Sequence, residues 1–188
     1  ISLISSGIDS PVATYIVSKI ADEIILLHGD IRPFTDKREI DNFFIIATHL
    51  KKALSCKLKI YILPHGNNLD KYNKECNVRY TCVFCKRMLI RYAERIAENE
   101  DADAIIMGDS LGQVASQTLH NINAIDSAIS IPIIRPLIGY DKEDIVRIAK
   151  DIGTYDLSIL PSDPCRAVPN KPATQAKLDK VLDEEKKI

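Results

Sequence analysis

The sequence predicts an α/β fold: a three-layer sandwich around a five-stranded, mainly parallel sheet. Short apolar runs of strand length alternate along the chain with longer runs whose apolar residues recur at helical spacing, the pattern of βαβ units. Most of the strand-like runs end on glycine or small polar residues, as strands of such a sheet do where they face a ligand. At 188 residues, 46% hydrophobic and 27% charged, the chain suits one domain with a full-sized core.

The elements follow in order. Ile1, Leu3 and Ile4 read as the end of a short buried strand. Pro11 opens a helical run (Val12, Ala13, Thr14, Tyr15, Ile16, Val17), in a first turn where its missing N–H costs nothing. Glu23 to His28 is a strand ending at Gly29, and Ile40 to Leu54 is a helix. Leu58 to Leu63 is a third strand stopped by Pro64. Met88 to Ala97 is helical, with Leu89, Tyr92, Ala93 and Ile96 on one stripe. Ala102 to Met107 is a fourth strand, followed by a helix from Val114 to His120. Ile131 to Ile134 is a short fifth strand, and Asp141 caps a helix through Ile152 that Gly153 stops. Residues 1–172 form the domain. Residues 173–188, highly charged and weakly amphipathic, form a tail or surface helix. The chain begins on a strand and without methionine, so further chain is expected upstream.

Composition narrows the function classes. No apolar run approaches the ~20 residues of a membrane span and no signal-peptide pattern is visible, so no membrane partner is expected. A net charge of −1 supplies no global pull toward nucleic acid, which would need local basic patches. Five cysteines without an even framework of spacings suggest a reducing, cytoplasmic setting with thiol or metal chemistry.

Chemistry concentrates in four places. Ser5-Ser6-Gly7-Ile8-Asp9-Ser10 is a strand–turn–helix junction rich in small donors, suited to an anion at a helix N-terminus; a plain βα turn with a serine cap reads equally well locally. It lacks Gly-Lys-Ser/Thr and is not G-x-G-x-x-G. Cys82-Val83-Phe84-Cys85 is a C-x-x-C just before a helix, a spacing that serves zinc, an iron–sulfur cluster or a working thiol pair. Zinc is weakened because no second C-x-x-C or paired histidines exist. Cys165, in a loop with Pro161, Pro164 and Pro169, could complete a three-cysteine cluster or act as nucleophile with the pair as redox partner. Lys86 and Arg87 head a basic stripe continued by Arg91 and Arg95, and the first two are the better candidates for RNA phosphates. Gly108 to Thr118 is small and polar enough to wrap a ligand closely. His49, His65 and His120 read as structural; His28, at a strand end, stays open.

The Ser5–Ser10 stretch resembles the Ser-Gly-Gly-x-Asp-Ser pyrophosphate loop of the PP-loop ATPases, whose fold is that of the adenine nucleotide alpha hydrolases. Five stretches in order resemble one family within that group: Ser-Gly-Ile-Asp-Ser-Pro-Val-Ala (6–13), Cys-Val-Phe-Cys-Lys-Arg-Met (82–88), Ser-Leu-Gly-Gln-Val-Ala-Ser-Gln-Thr-Leu (110–119), Arg-Pro-Leu-Ile-Gly-Tyr-Asp-Lys-Glu-Asp-Ile (135–145) and Gly-Thr-Tyr-Asp-Leu-Ser-Ile-Leu-Pro-Ser-Asp-Pro-Cys (153–165). The family is the tRNA 4-thiouridine synthetases, sulfurtransferases also linked to thiamine thiazole synthesis.

The resemblance implies that ATP with Mg²⁺ adenylates C4–O of a tRNA uridine, at position 8, before a sulfur nucleophile displaces AMP. It implies nucleotide contacts from Ser5, Ser6, Gly7, Asp9, Ser10, His28, Gly108 and Gln113. Asp9 would orient Mg²⁺–pyrophosphate, Lys142 would offset phosphate charge, and Cys165 would handle sulfur. Few residues follow Cys165, leaving no room for the rhodanese domain of many bacterial members. The shorter, mainly archaeal type implies that Cys82, Cys85 and Cys165 converge, with an iron–sulfur cluster or a persulfide or disulfide as the open alternatives. The partners implied are tRNA, gripped mainly through the family's N-terminal domains, and a sulfur donor protein or sulfide; a homodimer is compatible. Ser6 departs from the loop's usual first glycine; at a left-handed position serine would cost roughly 1–2 kcal/mol. The rival readings are another PP-loop adenylating enzyme and a degenerate, non-catalytic ATP-binding module.

Overall fold

The computed structural model describes all residues, 1–188. Five strands, β1 (Ser2–Leu3), β2 (Glu23–Asp30), β3 (Lys57–Pro64), β4 (Ile105–Ile106) and β5 (Ile133–Ile134), form one all-parallel sheet in the order β3-β2-β1-β4-β5. Register is set at the centre by Ser2, which pairs with Leu26 on one side and Ile106 on the other. The chain winds outward through β2 and β3, then returns across β1 to β4, so the strand order reverses between β1 and β4.

Eight helices cover the sheet: α1 (Asp9–Ser18), α2 (Lys37–Ala53), α3 (Gly66–Glu75), α4 (Thr81–Glu100), α5 (Leu119–Asp126), α6 (Lys142–Asp151), α7 (Tyr155–Ser158) and α8 (Leu178–Glu185). Alternation along β2 builds the two cores. Ile24 and Leu26 face a cluster with Val12, Phe43, Ile46, Leu50 and Ile145, while Ile25 and Leu27 face one with Tyr72, Phe84, Ile90 and Ile125. Helices α1, α2 and α6 thus lie on one face and α3, α4, α5 and α8 on the other, the expected three layers.

Several elements differ from expectation. Helix α4 begins at Thr81, so Cys82 and Cys85 ride on its first turn, three residues apart on one face. The helix expected over 114–120 is an extended stretch with a 3-10 turn at Ala115–Gln117; α5 starts later, with Thr118 Oγ1 accepting from Asn121 N at 3.3 Å. Helix α3 was hidden because Gly66-Asn67-Asn68 reads as a turn and it buries only Gly66, Leu69 and Tyr72. The charged C-terminal stretch is a helix, α8, whose Val181 is fully buried in the α4-side core. As expected, Asp141 caps α6 by accepting from Asp144 N at 2.9 Å, and Gly153 follows it with φ +73°.

Candidate functional site: a cleft at the strand-order reversal

The carboxyl ends of β1, β2 and β4 open into one cleft of about 350 Å³, lined by Ser5, Gly7, Asp9, Ser10, His28, Gly29, Glu39, Lys86, Gly108, Asp109 and Gln117 among others. Its floor depends on one close approach. A Cβ on Gly108 would lie 2.8 Å from both Ser10 N and Ser10 Cα, so only glycine lets β4 end this near the start of α1.

Within the β1–α1 turn, Ser10 Oγ accepts from Ser5 N at 2.9 Å, and Gly7 N donates to Ser5 Oγ at 3.2 Å. The loop therefore closes on its own serines, while no side chain caps α1 and its first N–H groups stay open to an anion. Ser6 is outside the left-handed region, so serine there carries no backbone strain. At the mouth, Lys142 Nζ from the start of α6 lies 2.5 Å from Asp9 Oδ1. Two residues remote in sequence thus meet across the loop.

Behind the loop lies a buried ion network. Asp109, 4% exposed, binds Lys86 Nζ at 2.6 Å through Oδ1 and Arg135 Nε at 3.0 Å through Oδ2; Arg135 also holds Asp126 at 2.6 Å. Burial alone would raise the Asp109 carboxyl, but Lys86 and Arg135 outweigh it and hold it below the ordinary carboxylate range. Gln117 Nε2 donates to Asp109 Oδ1 at 3.4 Å. His28 is buried and stacked on Phe43, 4.2 Å between centroids, and its Nδ1 lies 3.0 Å from Ile4 O. Its Nε2 is 3.0 Å from Glu39 Oε2 without hydrogen-bond alignment.

Both residues expected to contact RNA are held in ion pairs. Arg87 is 1% exposed: it chelates Glu185 of α8 with two 2.8 Å bonds and donates to Ala124 O and to Ser127 Oγ, stitching α4, α5 and α8 together. Lys86 points into the cleft toward Asp109. Neither presents a free cation to a phosphate chain, because an ion pair with a carboxylate from elsewhere in the chain claims each. Gln113 is exposed and donates to Ser110 Oγ at 3.0 Å, whereas Gln117 lines the cleft. Sequence reasoning singled out none of Asp109, Arg135 and Gln117 individually as site residues, although Asp109 and Gln117 lie in the 108–118 stretch expected to wrap a ligand. The signal was the position of Asp109 and Arg135 just past two strands, with nothing local to show that they would pair.

The thiols adjoin this cleft through Lys86. Burial, the neighbouring Cys82 and Cys165 push the Cys85 thiol up to about 12, against a smaller opposing pull from Lys86; burial and Cys165 likewise raise Cys82. Cys165 thus lies near enough to act on both members of the pair, and all three are free thiols. The Cys165 loop is docked on the segment after β2: Arg166 N donates to Phe34 O at 2.8 Å and Thr35 Oγ1 to Asp163 O at 2.8 Å. No three Cys, His, Asp or Glu side chains are placed to hold a metal ion. Cys82, Cys85 and Cys165 are thus not gathered into a metal-holding group in this arrangement, two of them riding on α4 and the third on a loop docked on the segment after β2.

Comparison with known proteins places this geometry. A family described as "Thiamine biosynthesis protein (ThiI)" matches residues 1–188. The chain is 41% identical over its whole length to a probable tRNA sulfurtransferase of Methanothermobacter thermautotrophicus, covering 49% of that protein. It is 39% identical to one from Thermus thermophilus, covering 47%. It thus spans about half the length of the curated relatives it matches. Its fold superposes on a 4-thiouridine synthetase crystallised with RNA and bound ATP at TM-score 0.94 and 35% identity, over all of this chain and 49% of that one. A U34-tRNA thiolase of Methanococcus maripaludis, solved with its [4Fe-4S] cluster, shares the fold at TM-score 0.54 but only 17% identity, over 97% of this chain and 62% of that one. With its loop, cleft and cysteines in the order and place described, the chain belongs to the ThiI thiamine biosynthesis protein family.

Proposed function

We propose that this chain is the catalytic part of an ATP-dependent tRNA sulfurtransferase that converts a uridine, at position 8, to 4-thiouridine. The observation that carries the reading is that the Ser5–Ser10 loop, with its Asp9–Lys142 pair, borders a cleft lined by Lys86, which follows the C-x-x-C on α4, with Cys165 near that thiol pair. The free N–H groups at the start of α1 and the hydroxyls of Ser5 and Ser10 receive the phosphates of ATP. Asp9 would hold Mg²⁺, whose charge screens the departing pyrophosphate, once Lys142 turns from its carboxylate toward the phosphates. The uridine C4 oxygen attacks the α-phosphorus and pyrophosphate leaves. A pyrimidine carbonyl oxygen is a poor leaving group until it is phosphorylated in this way.

Sulfur then comes from Cys165 as a persulfide, loaded by a donor protein, or from sulfide itself. The terminal sulfur attacks C4, and the C–O bond breaks with loss of AMP. A thiol of the C-x-x-C then resolves the mixed disulfide, leaving sulfur on the base and a protein disulfide that an external thiol reduces. Cys82 and Cys85, raised by burial, stay protonated and unreactive until that stage. A thiamine-related role would draw on the same persulfide. The test is pyrophosphate release with unmodified tRNA, ATP and sulfide, followed by mass spectrometry of the nucleosides. Formation of 4-thiouridine supports the reading; ATP binding without AMP formation would favour a non-catalytic binding module.

A further inference from the structure

Lys86 and Arg87 are each claimed by a carboxylate, so the cations able to meet a phosphate chain lie elsewhere. Three of them, Arg79, Arg166 and Lys171, line one groove of about 690 Å³. The rest of its lining is small and uncharged and includes two exposed valines, Val78 and Val168; it holds no carboxylate. In a chain with 26 acidic against 25 basic residues, such a groove is a local departure from balance. Arg79 and Lys171 enter no ion pair. Arg166 has only a loose one, 3.8 Å to Asp163, and that carboxylate lies nearer to Arg38, at 3.1 Å. Main-chain carbonyls steady the guanidinium groups instead: Arg79 Nε donates to Lys171 O at 3.3 Å, and Arg166 Nη2 to Pro33 O at 2.6 Å. A carbonyl fixes the place of a cation without cancelling its charge, so the positive charge of the groove stands uncompensated.

Both walls of the groove lead to thiols. One wall, the 3-10 turn Val78–Tyr80, runs straight into the first turn of α4 with Cys82; the other, residues 166–171, follows directly on Cys165. On the proposed function, the target base must reach both the ATP cleft and a sulfur beside it. The strand that carries the base therefore has to pass these two segments. We propose that this groove receives the backbone phosphates of the RNA strand next to the target uridine. The two guanidinium forks and the ammonium meet the phosphates, and the valines pack against ribose faces. Such contacts carry no base sequence; they place the uridine rather than choose it. The inference rests on the tRNA reading above and adds the surface that presents the substrate to the thiols.

The experiment measures the affinity of the full chain for unmodified tRNA across a salt series. Wild type is compared with the Arg79→Gln, Lys171→Gln double variant and with Arg79→Lys as the charge-keeping control. Each lost phosphate contact should lower the slope of log K against log[salt] by about 1. The double variant should thus lose about 2 and bind roughly 10- to 100-fold more weakly, while Arg79→Lys keeps the slope. ATP affinity, read by calorimetry, should stay within about twofold, which separates a lost contact from a lost fold. A second arm needs no stable variant: a neutral methylphosphonate is placed at single positions along the RNA. Beside the target uridine it should weaken wild type by about 3- to 10-fold and leave the double variant unaffected. Wild-type slope and affinity in the double variant, or no methylphosphonate loss beside the target in wild type, would overturn the inference and leave the adenylation reading intact. Unchanged RNA binding, with thiolation slowed only when a persulfide-carrying protein replaces sulfide, would give the groove to that protein and overturn the inference too. If the slope falls as expected but tRNA and ATP yield no AMP, the groove stands and the adenylation reading falls.

Discussion

Lys142 and Asp9 are 2.5 Å apart at the mouth of the cleft, so each partly cancels the other's charge until a polyanion with its own cation enters. Removing the ammonium should leave the fold intact, because Lys142 is half-exposed, but should take away charge stabilisation as pyrophosphate departs. Lys142→Met is expected to lower the rate of pyrophosphate release by roughly 10²–10³-fold at saturating ATP. Ser6 poses the opposite question. Its backbone is outside the left-handed region, so Ser6→Gly relieves no strain and should change the adenylation rate by no more than about twofold. A gain of orders of magnitude would mean that the natural loop is impaired.

Helix α4 shows what was legible at the scale of elements. Its apolar stripe and its C-x-x-C stood out along the sequence, as did the strands on either side. The destination of its arginines did not, because a stripe of cations looks the same whether it faces solvent or a carboxylate a hundred residues away. Glu185 receives two 2.8 Å bonds from Arg87 and further bonds of 2.9 and 2.8 Å from Arg91, which turn α8 from a charged tail into a clamp on the core. Arg87→Met leaves Glu185 half-paired and partly buried. It should cost about 3–5 kcal/mol by denaturant unfolding while leaving RNA affinity of the folded protein unchanged. Loss of RNA affinity with full stability would restore the phosphate-contact role. The site was legible in the same uneven way: loop glycines, Asp9, Lys142 and the cysteines carry local motifs, whereas Asp109 and Arg135 become functional only through pairing across the sheet.

The whole molecule has one further charge device. His65 is fully buried, accepts from Asn68 Nδ2 at 3.1 Å, and burial lowers its pKa from 6.5 to about 4. Between those values the unfolded chain binds the proton and the folded one does not, so stability is full above pH 6.5 and is lost as pH falls toward 4. Unfolding free energy should therefore drop by roughly 3 kcal/mol across that window, and the slope should vanish in His65→Asn. Asp109, held low by its cations, acts below that window, while Glu185, whose ordinary value is 4.5, adds to the loss at its acid end. An unchanged slope in the variant would assign the acid sensitivity elsewhere.

On the proposed function, one site runs two separable half-reactions, oxygen activation at the loop and sulfur delivery at the thiols. The direct measurement is single-turnover pyrophosphate release beside 4-thiouridine formation, with unmodified tRNA, in wild type, Lys142→Met and Cys165→Ser. Cys165→Ser is expected still to release about one equivalent of pyrophosphate per site but to form no 4-thiouridine, while Lys142→Met loses both. Cys165→Ser that releases no pyrophosphate, or that thiolates at the wild-type rate, would contradict it.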